Sequence, residues 1–358
     1  MNLPVPRPLA PMEARTADEL PAGDAWLYEP KWDGFRCLVF RDGADVELQS
    51  KSQKPLGRYF PEVLEAVARL RPRRFALDGE LVIPDGDRTD FDALLQRIHP
   101  AESRIAKLSK SRPARLVVFD LLATGARTSH LDRPLRARRE SLKRWAATNL
   151  GRSAGNPGDA PGASIHVSPA TTDRARALRW LETLRGIDGV VAKDLSRGYL
   201  PGSRDGVVKV KRLRTADCVV GGYREWAAGT GVGSLLLGLY DDDGVLHHVG
   251  FTSGLSDRQR ERVMELVRPL AAPSSATGAG TGFTGNAPGG PNRWTGGREK
   301  PWIPLRPELV VEVSFDQVTN RRFRHGTRLL RWRPDKDPRA CTLEQIERSG
   351  AGALRLLG

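Results

Sequence analysis

Short apolar runs closed by glycine, proline or aspartate turns recur along most of the chain, and this punctuation restricts the fold more than any other feature. Ala25 to Glu29 and Phe35 to Phe40 are two such runs, and Arg41-Asp42-Gly43 then turns the chain into Asp45 to Gln49, a strand-rich opening. Tyr59 to Leu70 carries apolar residues at helical spacing, with Pro61 tolerated in the first turn. Phe75 to Ile83 returns to strand before the helical stretch Phe91 to Ile98. Leu116 to Leu122 reads as a further strand, Leu135 to Leu150 as an Arg-rich amphipathic helix and Asp173 to Arg185 as another helix. Two Val-rich strands follow, Gly189 to Asp194 and Gly206 to Arg212. Strands and helices mix without a regular βαβ beat, which places the chain in the α+β class.

The pattern changes from Ala216 onward, where Cys218 to Tyr223, Ser234 to Tyr240, Val245 to Thr252 and Leu309 to Phe315 read as strands around one helix near Ser256 to Leu270. That is the pattern of a small barrel with one helix. The expected division is 1–213 and 214–358. Ser153 to Ala163 has the composition of a surface loop, and 271–298, rich in Gly, Ala, Ser, Thr and Pro, that of a flexible loop inside the second domain. No internal repeat is visible.

With 358 residues, 39% hydrophobic and 28% charged, the chain has enough apolar residues for real cores, which excludes disorder as its main state. Lys plus Arg outnumber Asp plus Glu by 57 to 43, a net charge of +14. The excess points to a polyanionic partner, nucleic acid first and an anionic membrane surface second. Cys37, Cys218 and Cys341 are too scattered for a CxxC zinc pair and too few for a disulfide framework, as expected in a reducing cytoplasm. Prolines and acids at the N-terminus exclude a signal peptide, and no apolar stretch reaches membrane-spanning length.

The string Glu29-Pro30-Lys31-Trp32-Asp33-Gly34-Phe35-Arg36 sets a lysine between two strands, followed by an Asp-Gly turn and an arginine. Such a lysine can attack phosphorus once neighbouring cations, a metal or desolvation lower its pKa from about 10.4; the plain alternative is a surface lysine beside a turn. Downstream stand Asp78-Gly79-Glu80, Phe119-Asp120, Asp188-Gly189-Val190-Val191-Ala192-Lys193 and Lys209-Val210-Lys211, all on strands. Residues two apart share a strand face, so Lys209 and Lys211 point one way, as do Asp78 and Glu80. Paired ammonium groups suit a phosphate.

In this order these strings, with Arg331-Trp332-Arg333-Pro334-Asp335-Lys336 near the C-terminus, resemble the covalent nucleotidyltransferase superfamily of ATP-dependent polynucleotide ligases and mRNA capping enzymes. KWDGFR, LDGELV, VVFDLL and GVVAK look most like the short bacterial DNA ligases and the ligase modules of bacterial end-joining systems. The resemblance implies a nucleotidyltransferase domain of antiparallel sheets and helices followed by an OB-fold β-barrel. It further implies an ATP-dependent enzyme that seals 5′-phosphate/3′-hydroxyl nicks in DNA repair through lysyl-AMP and DNA-adenylate. Asp188 stands where the family usually has Glu, so its shorter side chain would reach a metal through water.

By the same resemblance, Lys31 takes AMP from ATP while Lys209 and Lys211 bind the α-phosphate. Glu80 and Asp188 hold Mg²⁺, for which Mn²⁺ can substitute. Phe119 stacks on adenine, Val191 covers its other face, Glu29 approaches the exocyclic amine or a neighbouring backbone amide, and Arg36 the ribose. Lys193 takes a phosphate oxygen, Arg331, Arg333 and Lys336 orient the β- and γ-phosphates, and Lys51, in Ser50-Lys51-Ser52, contacts DNA. Nicked duplex DNA would be gripped through its backbone, with the basic helix around Arg133 to Arg144 as a candidate surface. With no extra N-terminal DNA-binding domain, the two domains would close on the duplex about a hinge near Leu213 to Ala216. The expected protein is a monomeric, nucleoid-associated cytoplasmic enzyme with no membrane partner, and a repair polymerase or primase is its expected companion. An RNA ligase, a GTP-dependent capping guanylyltransferase and a non-catalytic OB protein that retains the motifs are the competing readings.

Overall fold

The computed structural model describes residues 1–150, 165–271, 282–288, 301–347 and 351–357. The loop expected at Ser153 to Ala163 lies outside the described residues, as does most of 271–298. The chain forms two compact units, one of residues 1–212 with 349–358 and one of 213–348.

Two large sheets and the small hairpin of Pro84–Asp85 with Arg88–Thr89 build the first unit. One orders the strands Arg15–Thr16, Val207–Lys211, Ile187–Asp194 and Trp26–Trp32; the other orders Ile165–Val167, Arg115–Thr124, Arg74–Val82, Phe35–Asp42 and Asp45–Ser50, with Thr128–Ser129 beside the second of these. Consecutive strands Trp26–Trp32 and Phe35–Asp42 belong to different sheets, so the Asp33-Gly34 turn carries the chain from one to the other. A Cβ at Gly34 would stand 2.2 Å from the Leu81 carbonyl oxygen, so only glycine lets this turn lie flat against the neighbouring strand.

Helices cover the outer faces where their apolar stripes find a core. Leu142, Trp145 and Ala146 of helix Leu135–Asn149 pack with Phe75 and Leu121 of the larger sheet. Helix Phe91–Arg97 begins at Asp90, whose carboxylate accepts from Ala93 N at 3.0 Å, and helix Arg174–Thr183 begins at Asp173 in the same way. Helix Glu102–Ser111, whose apolar residues are limited to Ile105, Ala106 and Leu108, is an element the sequence reading does not foresee.

The second unit is a sheet ordered Leu246–Thr252, Val232–Tyr240, Arg214–Glu225, Val310–Phe315 and Arg328–Trp332, with Ile303–Pro304 beside the third. Helix Asp257–Val267, started by a Ser256/Gln259 capping box, sends Val263 and Val267 into its core. The two edge strands meet through one parallel bridge, Thr252 with Thr327. The unit is therefore of the OB type expected, with its barrel partly open.

Two details differ from the expected organisation. Gly282 to Pro288, inside the stretch read as a flexible loop, docks on the barrel: Gly282 N donates to Leu305 O, Thr284 N to Leu246 O and His248 N to Asn286 O. Phe283 supplies the reason, fitting beside Gly221 and Gly238, where absent side chains leave room for its ring. The last residues, expected in the second domain, belong to the first unit. Ala353 and Leu354 are buried with Trp32 and Trp180, and Ala353 N donates to Arg185 O at 2.7 Å.

Candidate active site

A cleft of about 260 Å³ opens inside the first unit, with residues of both sheets lining it. Strand pairing sets the wall contributed by the smaller sheet. Glu29, Val191 and Lys209 lie in one cross-strand row, and Lys31, Gly189 and Lys211 in the next. Period-two alternation turns Glu29 and Lys31 to one face and buries Tyr28 and Trp32 on the other. Gly189, at φ +152°, adds no side chain between Lys31 and Lys211, and a Cβ there would stand 2.1 Å from Val210 O.

Each wall is interrupted by a β-bulge at a predicted site residue. In the smaller sheet Trp32 pairs with Ile187 and Lys31 with Gly189, which leaves Asp188 as the extra residue. In the larger sheet Asp78 pairs with Asp120 and Gly79 with Val118, which leaves Phe119 as the extra residue. A bulge re-aims the side chain it carries. Asp188 Oδ2 accepts from Lys31 Nζ at 2.5 Å, and Phe119 and Asp120, adjacent in sequence, both line the cleft.

Carboxylates and cations alternate around this space. Glu29, 2% exposed, accepts from Lys193 Nζ at 2.7 Å and from Arg139 Nη1 at 3.2 Å. Fully buried Asp78 accepts from Arg36 Nε and Nη2, each at 2.5 Å, and from Tyr199 OH at 2.6 Å. Burial alone would weaken Arg36 as a base, but the Asp78 carboxylate more than offsets it and raises its pKa. Burial pushes the Glu80 carboxyl up to about 8, against the opposing pull of Arg36 and Lys31. Lys209 is lowered by desolvation and then by its neighbours Lys31 and Lys211, the crowding of like charge that favours a neutral amine.

The structure brings Lys31, Glu29, Arg36, Glu80, Phe119, Val191, Lys193 and Lys209 to one cleft, with Lys51 also among its lining residues, paired with Glu13 at 3.3 Å. Asp188 is tied to it through Lys31. Lys211, next to Lys31 in register through Gly189, is not among the lining residues. Arg331, Arg333 and Lys336 belong to the second unit, where Arg331 pairs with Glu312 at 2.6 Å, Arg333 with Asp217 at 2.9 Å, and Lys336 lies 3.8 Å from Asp217. Lys193 Nζ lies 4.1 Å and Arg36 Cζ 4.8 Å from the centroid of the Phe119 ring, so cations cover the expected purine platform.

Sequence reasoning misses Asp78's grip on Arg36, Tyr199 and the inward side of the basic helix. Arg138 and Arg139, 2% and 5% exposed, point into the unit, Arg138 to Asp120 at 2.9 Å and Arg139 to Glu29. Neither can serve the surface role considered for that helix. Arginines at buried helical positions beside acidic strand ends were the signal available. Among the described residues no three His, Cys, Asp or Glu side chains form a metal-binding group, and no helix is long and apolar enough to cross a membrane.

Comparison with known proteins agrees with this geometry. The profile of the ATP dependent DNA ligase domain matches residues 11–211, and that of the ATP dependent DNA ligase C terminal region matches residues 228–336. The chain belongs to the ATP-dependent DNA ligase family. It is 44% identical to DNA ligase C1 of Mycolicibacterium smegmatis, over 97% of this chain and 96% of that one. To DNA ligase C of Mycobacterium tuberculosis it is 43% identical over the same shares. The solved structure Pmar-Lig_Pre. superposes on the ligase with a TM-score of 0.53 at 18% identity, covering 86% of this chain and 63% of its own, a likeness of fold alone. Family membership decides for a DNA ligase over the guanylyltransferase, RNA-ligase and non-catalytic readings.

Proposed function

We propose that this ligase seals 5′-phosphate/3′-hydroxyl nicks in duplex DNA with Lys31 as the carrier of adenylate. The observation that carries the reading is the Lys31 ammonium beside the bulged Asp188 in a cleft shared with Lys209, Glu80 and Phe119. In the first step the Lys31 amine, having lost its proton, attacks the α-phosphorus of ATP. An N–P bond forms as the bond to the bridging oxygen breaks, and pyrophosphate leaves. Lys209 and Lys211 offset the charge that spreads over the α-phosphate oxygens. AMP then passes to the 5′-phosphate of the nick, and attack by the 3′-hydroxyl expels it to leave a phosphodiester.

Phe119 and Val191 bound the purine slot, Glu29 accepts from the exocyclic amine and Arg36 reaches the ribose. Lys193 moves to a phosphate oxygen. Arg331, Arg333 and Lys336 hold the β- and γ-phosphates in line with Lys31, and Lys51 meets the DNA backbone. Glu80 and Asp188 fit a divalent ion of the Mg²⁺ type, with Mn²⁺ as a substitute, because such ions take one or two carboxylates and complete their shell with substrate phosphates. Glu80, a half-buried carboxyl pushed up to about 8, is the kind of group an adjacent cation keeps ionised. The bound ion would neutralise phosphate charge.

The ligase acts in DNA repair as a cytoplasmic, nucleoid-associated monomer alongside a repair polymerase or primase. Incubation with radiolabelled ATP and Mg²⁺ is expected to leave label on the protein, with Lys31 identified by peptide mass. Wild-type protein without label, or with label elsewhere, defeats the reading.

A further inference from the structure

We infer that Arg139 is a positioning residue for purine selection, the fixed partner of Glu29, while Lys193 is its exchangeable one. The inference rests on the adenylate-carrying role of the cleft proposed above. Arg139 comes from helix Leu135–Asn149 and reaches under both walls of the cleft. Its Nη1 donates to Glu29 Oε1 at 3.2 Å on one sheet and to the Phe119 carbonyl at 3.3 Å on the other, and its Nη2 donates to Ser168 O. One guanidinium thus fixes the carboxylate and the backbone of the platform ring together, which its planar fork of donors permits and a lysine does not.

Packing alone is a poor account of this side chain. It is 5% exposed, and its buried Nε has no hydrogen-bond partner. An apolar residue of similar size would fill the space without burying a charge and an unmet donor.

Lys193 is held differently. Its Nζ donates to Glu29 Oε2 at 2.7 Å while lying 4.1 Å from the Phe119 centroid. A base stacking on that ring must displace the cation over the face it takes. Arg36, the other cation there, is clamped by two bonds to fully buried Asp78, whereas Lys193 is a single ammonium on a flexible stem. When Lys193 leaves, Oε2 becomes an unpaired acceptor and Oε1 remains on Arg139. An adenine 6-amino group satisfies that acceptor; a purine without the amino group leaves a buried carboxylate oxygen bare, the situation that gives strong discrimination.

The test compares self-nucleotidylylation by ATP with that by purine riboside triphosphate, which lacks the 6-amino group. The readout is the ratio of the two kcat/KM values, which does not depend on the fraction of folded enzyme. Arg139→Gln is expected to lower the preference for ATP at least tenfold, mainly by raising KM for ATP, and Arg139→Lys to restore part of it. An unchanged ratio in Arg139→Gln, even with lower overall activity, overturns the inference. Should Arg139→Gln fail to fold, Arg139→Lys decides: about a threefold loss of preference supports the inference, and a wild-type ratio overturns it. Wild-type protein that forms no adduct with ATP defeats the ligation reading itself, a result distinguishable from an adduct formed with an undisturbed ratio.

Discussion

Lys31 and Lys209 stand in a cleft within the first unit, whereas Arg331, Arg333 and Lys336 lie on an edge strand of the second unit and in the turn after it. Around the cleft the surrounding charges are fixed by buried partners: Asp78 holds Arg36, and Glu29 is held by Arg139. On the second unit the partners are more accessible. Arg331, 64% exposed at its side chain, leans on Glu312, and Arg333 is shared between Asp217 and the exposed Asp335. Ion pairs with one member open to water, as Arg331 is toward Glu312 and Asp335 toward Arg333, cost less to exchange than fully buried ones. The first arrangement suits a group that must keep one geometry through a reaction, and the second suits groups that trade a carboxylate for a phosphate and then let go.

Substitutions can break this comparison. The largest effect is expected from Lys31→Ala, with no adenylate adduct detectable by intact-protein mass spectrometry; a persisting adduct would remove the cleft from the chemistry. Lys209→Ala should slow single-turnover adenylylation about a hundredfold, the usual scale for deleting a charge-stabilising donor. A loss no greater than that of Lys336→Ala would erase the distinction between the two regions. For Lys336→Ala the expectation is about a tenfold slower self-adenylylation, with sealing of a pre-adenylylated nick largely spared; equal losses in both assays would make it a general structural residue.

A smaller effect concerns Glu80. Its folded pKa, about 8, exceeds the unfolded value of 4.5, so between these limits the folded protein binds more protons. Stability should therefore fall as pH rises through that window, and the neutral Glu80→Gln should lack this part of the slope. The partly solvent-accessible side chain limits the difference to about 1 kcal/mol at pH 8. Urea titrations of both proteins at pH 5 and pH 8 measure it. A variant slope equal to that of the wild type would show that Glu80 titrates normally.

Much of the cleft was legible because strand alternation is a local rule. Once Trp26–Trp32 and Val207–Lys211 are read as strands, Glu29 with Lys31, and Lys209 with Lys211, fall on shared faces. The family order of strings supplied the partners across strands, which no local rule gives. Bulges were not legible, since an extra residue leaves no mark in a two-residue period, and so the direct Lys31–Asp188 contact was unforeseen. Arg138 and Arg139 were misread for a related reason: in a helix dense with arginine, charge says little about which side faces inward. The docking of Phe283 depends on glycines more than forty residues away in sequence, a relation invisible to composition.

Asp188 and Phe119 owe their direction to single surplus residues in otherwise paired strands. Exchange of either side chain changes the chemistry presented but leaves the backbone's aim intact. Loss of one residue at either position would restore regular pairing and remove the side chain that the bulge presents. The count of residues in these two strands, as much as their composition, is what inheritance has to protect, and engineering of this cleft should never insert or delete there.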